Sequence, residues 1–527
     1  MPTADTADEF LALAAQYQLG ALDTEGFHPL TARLSEQAQA DLPAALRALQ
    51  AVDVAALERF QEKVAGVVEL AGAVNKTFAS GKRVFLCGCG ATGRLSLAAE
   101  WLGRAGMLPP DLAERVIGFM AGGDAALIRS IENFEDFPEY GARQLDELGF
   151  ADGDLLIAST EGGETPWVIG AAERAAAVSQ NAPWFLYCNP DAQLRAAVER
   201  SRRVLDDARI RKFNLHVGPM ALAGSTRMQA STVLLAAVGL ALEHHREPAK
   251  IAPATAAFLD FIRADDFAAL APLTAAEADI YQRQQQILYR THTTGLTTLT
   301  DTTERSPTFS LAAFENVFAP EQPTSLAYLH LPGPTDSAAA WRTLLRREPR
   351  TLEWPGLEKL TSNAWLQGYD FSDGVLTRRP SGNVVEVEIE SGLIQISLTS
   401  SNPPEGVLVG SGGWFGYGMH RLKCPVPPGG LLFAHLYLKM LLNAHSTAVM
   451  ARLGRCRGNL MTYVRASNLK LIDRAVRYAR HLYQNETGKE IAYETVVRAL
   501  FAIRPTLGPD EPAVLRVLDY LRKNKRN

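Results

Sequence analysis

One stretch constrains this chain more than any other. Phe85-Leu86-Cys87-Gly88-Cys89-Gly90-Ala91-Thr92-Gly93-Arg94-Leu95 sets an apolar run directly against a G-x-G-x-x-G turn. A short apolar strand, a glycine turn and a following helix form the opening unit of a parallel sheet with helical crossovers. Glycines let the backbone turn sharply and approach an anion, while the helix start offers unpaired N–H groups and the positive end of its dipole. The stretch therefore predicts an α/β chain and a phosphate-bearing ligand, either a dinucleotide or a smaller phosphate ester.

The surrounding pattern repeats the unit. Strands are expected over 83–87, 116–120, 155–159, 184–188 and 214–217, with helices over 95–102, from Val168 onward, and over 231–243. This alternation reads as a sheet covered on both faces, with its site at the carboxyl ends of the strands. Ahead of it, apolar residues recur at helical spacing from Asp41 to about Ala79. Beyond Pro253 the rhythm loosens: a helix over 275–289, a Thr-rich run over 291–303, a strand over 326–331 and a helix over 337–345. A strand pair at 384–389 and 393–398, a Pro/Gly segment over 425–430 and a helical remainder from Leu431 follow. The last helix is expected over 510–522, and the basic end that begins at Arg522 reads as a solvated tail.

The 527 residues, 47% apolar and 21% charged, suit two or three globular domains. A net charge of −5 leaves no basic field for a nucleic-acid duplex or an anionic membrane. Cys87, Cys89, Cys188, Cys424 and Cys456 are scattered, with no second pair at zinc spacing, so they read as reduced thiols and no metal is expected. The acidic amino terminus has no apolar leader, and the apolar stretches fall short of the ~20 residues of a span. A cytoplasmic protein is the expectation.

Two further loops follow strands of the first half: Thr160-Glu161-Gly162-Gly163-Glu164-Thr165-Pro166 and Ala223-Gly224-Ser225-Thr226-Arg227-Met228. A dinucleotide would need an acid roughly 20 residues beyond the glycine turn for the ribose hydroxyls. Asp124 lies well past that distance, after a second turn at 121–123. Thr92 instead offers a hydroxyl suited to a phosphate monoester, and no cofactor is expected.

GCGATGRL, AGGDAALIRSIENFED, GGETPWVIGA, CNP, VGPMALAGSTRM and LNAHSTAVMARLGRCRGNLMTYVRASNLKLIDRAV, in this order, resemble the sugar isomerase (SIS) domain family. Within it, the chain most resembles the branch of the N-acetylmuramic acid 6-phosphate etherases and the glucokinase regulatory protein. Leu22 to Thr31 is similar to the TE…NP segment of the etherases, with His28 in place of Asn. The resemblance covers roughly residues 20–245 and 430–480. The family helix that follows the GSSRM-type loop is matched twice, by 230–243 and by 436–450. This implies two SIS-like domains in tandem, each a flavodoxin-type, three-layer α/β unit with a parallel sheet. The implied division is an amino-terminal helical extension (1–40), a first SIS domain (41–248), a second, degenerate one (249–455) and a carboxyl-terminal helical region (456–527).

The family lysine position reads Leu234 in the first copy and Lys439 in the second, and the run over 297–308 has no glycine. The resemblance thus implies one working site, bound by Gly90, Thr92, Gly93, Thr160, Gly162, Thr165, Ser225 and Thr226, with Lys439 reaching in. Glu135 coincides with the second catalytic-type glutamate of the family. The first glutamate is replaced by Leu102, and Glu100, two residues earlier, faces elsewhere on the helix. EGGETP departs from the etherase ASGRTP by putting Gly162 at the serine and Glu164 at the arginine. Glu161 and Glu164 are candidate ligand contacts or replacement catalytic groups. As acids beside a phosphate they call for compensation from Lys439, Arg94 or a metal, or for a phosphate bound elsewhere. Two functions follow: an isomerase or lyase, etherase-like in type, acting on the open chain of a phosphorylated hexose or amino sugar, or a non-catalytic sensor that controls a partner such as a sugar kinase. A homo-oligomer is compatible with either.

Overall fold

The computed structural model describes residues 5–14, 19–129, 131, 134–380, 382–400, 417–464, 466, 469–508 and 510–524, with only the backbone at 417–419. The tail residues 525–527 lie outside this set. The helical pattern at 41–79 forms two helices, α1 (Leu42–Gln61) and α2 (Val64–Ala79), broken at Glu62 and Lys63. Asp41 caps the first through its carboxylate, which accepts from the N–H of Ala44.

The glycine stretch folds as expected: β1 (Val84–Gly88) enters the turn, and α3 (Gly90–Leu102) leaves it. β2 (Val116–Met120), β3 (Leu155–Ser159), β4 (Trp184–Tyr187) and β5 (Arg211–Asn214), the last ending where the strand expected over 214–217 begins, complete an all-parallel sheet ordered β2-β1-β3-β4-β5. That is the doubly wound order whose site lies where the strand order reverses. Gly93 makes the first crossover possible, because a Cβ there would stand 2.5 Å from the Met120 Cβ. α4 (Pro166–Val178) follows β3, and α5 (Gln229–Glu243) follows the loop after β5.

The second half departs from its expected elements. The helix over 275–289 is shorter, Ala271–Gln282, and β6 (Ile287–Arg290) follows it. Periodicity cannot separate a four-residue apolar strand from the end of a helix. The Thr-rich run is mostly helix, α6 (Gly295–Phe309). Threonine is a poor helix former, but here the hydroxyls of Thr300, Thr302 and Thr303 bond back to the carbonyls of Leu296, Thr298 and Leu299. The strand-end turn of this half is therefore Thr291–Thr294, ahead of the run over 297–308. β7 (Ala327–His330), β8 (Asn383–Glu390), β9 (Leu393–Ser400) and β10 (Tyr417–Pro425) build a second sheet ordered β10-β9-β8-β6-β7. Its β7-β6-β8 core is parallel and repeats the start of the first sheet, whereas β8, β9 and β10 are antiparallel. We propose the boundary between the halves near Pro248–Lys250, the short turn of helix between α5 and the next helix, Ile251–Ala264.

α5 and α7 (Leu431–Arg452) are buried around nearly their whole circumference and pack between the two halves. A Cβ on Gly239 would stand 2.4 Å from Leu432, so the two helices meet there at close range. α7 also buries a polar row, His435, Lys439, Asn443, Ser446 and Thr447. Near it runs an ion network: Arg227–Asp301 (3.0 Å), Arg305–Asp301 (2.9 Å), Arg305–Glu277 (2.7 Å) and His445–Glu277 (2.8 Å). A second cluster joins Glu100 and Asp124 of the first half to Arg347 and Arg350 of the second. Beyond α7, α8 (Leu469–Thr487), α9 (Tyr493–Ile503) and α10 (Ala513–Asn524) form the carboxyl-terminal helices.

Candidate functional site

The carboxyl edge of the first sheet opens into a cleft of about 130 Å³. Gly90 and Ala91 of the glycine turn, Glu161, Gly162, Glu164 and Thr165 of the second loop, and Thr226 of the third line it. Glu135, in a short helical turn after β2, lines it too. The starts of α3 and α4 stand at its rim, so two helix dipoles bring partial positive charge to one place. Gly90 carries φ +52°, and a Cβ there would meet nothing within 4 Å, so the turn is open on the cleft side.

Other expected site residues stand one layer back. The Thr92 hydroxyl is buried and committed to its own turn, accepting from the N–H of Cys89 (3.0 Å) and donating to the Cys89 carbonyl (2.8 Å). Gly93 serves helix–strand packing, as above. Thr160 and Thr165 share a hydroxyl–hydroxyl bond of 3.0 Å that braces the second loop. Ser225, next to Thr226, is buried, and its Oγ has no hydrogen-bond partner. Asn189 of the CNP motif ties this region together, donating to the Gly162 carbonyl and the Thr24 hydroxyl, both at 3.0 Å.

Lys439 does not line the cleft. Its Nζ donates to the carbonyls of Arg227 (2.9 Å) and Met228 (3.2 Å), to Thr232 Oγ1 (2.9 Å) and to Asn443 Oδ1 (3.0 Å). It fastens the third loop from the second half. Arg94 is likewise turned away from the cleft, paired with Glu304 of α6 and donating to the Leu127 carbonyl (2.9 Å). Compensation for the acids comes from elsewhere. Lys470 and Arg474, four residues apart on α8, line the cleft. Lys470 pairs with Glu164 (2.8 Å), and Arg200 pairs with it as well.

These contacts split the acids of EGGETP. Burial opposes ionisation of Glu164, but Lys470 and Arg200 hold its pKa down to about 2. It is an anchored carboxylate and a weak base. Glu161 is buried, its Oε1 has no hydrogen-bond partner, and burial, with Glu304 and Glu135 behind it, pushes its pKa up to about 8. It carries a proton at neutral pH. Burial and the neighbouring Glu135 and Glu164 also raise Asp136 to about 7. Glu100 is held ionised by Arg347 and Arg350 despite its burial, and Asp124 pairs with Arg347. Neither lines the cleft. Among the described residues no group of three or more His, Cys, Asp or Glu could hold a metal ion. No helix among them is long and apolar enough to cross a membrane.

Sequence reasoning missed Lys470, Arg474, Arg200 and Glu25. Glu25, from LDTEGF, is fully paired: Arg474 Nε donates to its Oε2 at 3.0 Å and Arg477 Nη2 at 2.8 Å. The available signal was the spacing Lys470, Arg474, Arg477 on an amphipathic helix, which puts three cations on one face.

A doubly wound parallel sheet with three of its loops gathered at one cleft, beside a helix bearing cations, fits an SIS-type domain. A family model described as the glucokinase regulatory protein N-terminal SIS domain matches residues 66–176. An N-acetylmuramic acid 6-phosphate etherase of Rhodopirellula baltica is 32% identical over 216 residues, 41% of this chain and 66% of that protein. Another, of Rippkaea orientalis, is 32% identical over 227 residues, 42% of this chain and 67% of that protein. The chain belongs to the sugar isomerase domain family, in the branch of these etherases. It spans about two thirds of the length of these relatives and as little as 49% of another, from Aeromonas hydrophila. A tagatose-6-phosphate ketose/aldose isomerase structure from Escherichia coli aligns at 11% identity and a TM-score of 0.38, over 77% of this chain and 92% of that one.

Proposed function

We propose that the cleft binds a phosphorylated hexose or amino sugar and moves protons on its open chain, as an isomerase or a lyase. The observation that carries this reading is Glu161: a buried, protonated carboxyl with an unpartnered oxygen, in the same cleft as Glu135 and the glycine turn. The phosphate sits at the starts of α3 and α4, with Lys470 and Arg474 balancing its charge. Glu135 takes a proton from the carbon next to the sugar carbonyl. Glu161 gives its proton to the oxygen that gains charge, which is the carbonyl oxygen in an isomerisation and the departing oxygen in an elimination. An acid whose pKa lies near the working pH suits this step. Lys439 and Thr92 hold the loops in place. The sensor reading has no support in the comparisons.

A thermal-shift screen of hexose and amino-sugar 6-phosphates tests binding, and deuterium exchange at the carbon beside the carbonyl, followed by NMR in D₂O, tests chemistry. We expect stabilisation by at least one phosphosugar, weaker binding in Lys470→Ala, and exchange that is lost in Glu161→Gln. Stabilisation by a nicotinamide dinucleotide with none by any phosphosugar would end this reading.

A further inference from the structure

Beside the cleft lies a second, larger groove of about 230 Å³, and Arg474 lines both. Glu25 holds the Arg474 guanidinium through two of its nitrogens, so the shared wall is fixed. The far side of the groove comes from the other half of the molecule. Pro307 lies within the last turn of α6, and Ser310, at φ +52°, ends the helix, turning residues 306–313 along the groove.

The lining has a definite chemistry. Ser306, Thr308 and Ser310 bring hydroxyls, Gln322 an amide, and Ile128 and Leu471 apolar surface. The Ser306 hydroxyl donates to the Leu311 carbonyl at 2.9 Å, which leaves its oxygen able to accept. Among the described lining residues there is no carboxylate, and Arg129 and Arg474 supply the only charges. A cationic substituent is disfavoured there, and an alkyl chain would leave the accepting lone pairs of Ser306 and Ser310, whose protons go to the Leu311 and Tyr463 carbonyls, and the Gln322 amide N–H groups unmatched. A neutral polyol with C–H faces satisfies both kinds of surface.

We propose that this groove takes a second sugar ring, so that the chain acts on a phosphorylated sugar carrying a glycosyl group on a hydroxyl other than that of its reducing carbon. The proposal rests on the cleft being a phosphosugar site, and it gives the second half of the molecule a part in substrate choice. The phosphate-bearing ring must keep a free reducing end, because the chemistry in the cleft needs an open chain.

The test uses the full chain and two probes, glucose 6-phosphate and maltose phosphorylated at C6 of its reducing residue, with affinities from calorimetry. Wild-type protein should bind the disaccharide at least tenfold more tightly. Ala312→Trp, which fills the groove from an irregular segment, should bring the disaccharide down to the affinity of the monosaccharide and leave the monosaccharide unchanged. Gln322→Ala, a truncation that removes only polar contacts, should cut the preference part of the way. Equal affinities in wild-type protein, or a preference that survives both substitutions, would overturn the proposal. Tight monosaccharide binding without a disaccharide preference would do so while leaving the cleft reading intact. Failure of both probes to bind would overturn the proposal, and the cleft reading with it if no other hexose or amino-sugar 6-phosphate stabilises the protein.

Discussion

Replacing Glu161 by Gln should stabilise the protein while removing its chemistry. Glu161 is raised from 4.5 to about 8, chiefly by burial. The folded state therefore holds this proton over a pH range in which the unfolded chain has lost it. Below pH 4.5 both states are protonated and the carboxyl imposes no penalty. As pH rises, ionisation favours the unfolded chain by about 1.4 kcal/mol per pH unit until the folded carboxyl itself ionises near pH 8. The penalty reaches about 3 kcal/mol at pH 7 and about 5 kcal/mol above pH 8. Gln keeps the shape, stays neutral at every pH and removes it. Urea unfolding of both proteins at pH 5, 7 and 9 gives the three differences. We expect them to be under about 1, about 3 and about 5 kcal/mol in favour of Gln. A difference that stays constant with pH, or that favours Glu at pH 9, would refute the assignment of a buried, protonated carboxyl.

Two further outcomes follow from the packing. Lys439→Met removes a buried charge and leaves the Arg227 carbonyl and Asn443 Oδ1 without their donor, while the Met228 carbonyl keeps the Thr232 N–H and hydroxyl. Equilibrium unfolding should show a loss of roughly 3–5 kcal/mol, and phosphosugar binding should weaken because the third loop loses its anchor. Gly93→Ala places a methyl group 2.5 Å from the Met120 Cβ and 3.0 Å from the Gly88 carbonyl oxygen. It should cost about 1–3 kcal/mol, read by the same denaturation assay, with a lower melting temperature.

Much of the first half was legible because its signals are local. An apolar run, a glycine turn and a helix fix a βα unit within about a dozen residues, and five strands written this way leave few topologies. The three loops could be placed at one sheet edge for the same reason. The second half was less legible because its signals conflict. Ile287–Arg290 is too short to stand apart from a preceding helix, and a threonine-rich segment became helical only through burial and back-bonding to its own carbonyls. The antiparallel β8-β9-β10 meander also breaks the crossover rhythm on which the reading depended.

The amino-acid sequence by itself determined that a glycine turn would open a parallel sheet, that three loops would gather at its carboxyl edge, and that two acids would stand in one of them. Only the tertiary structure decided what each charge does. Lys439, on a helix that reads as pointing toward the ligand, is drawn under the third loop because four acceptors converge there. Glu161 and Glu164 sit three residues apart and are opposite in state, because Lys470 and Arg200 reach one and burial isolates the other. Lys470 arrives from a helix more than three hundred residues downstream. Backbone geometry follows from local periodicity and sterics, whereas ionisation follows from which distant groups share a low-dielectric space, and that is set by packing.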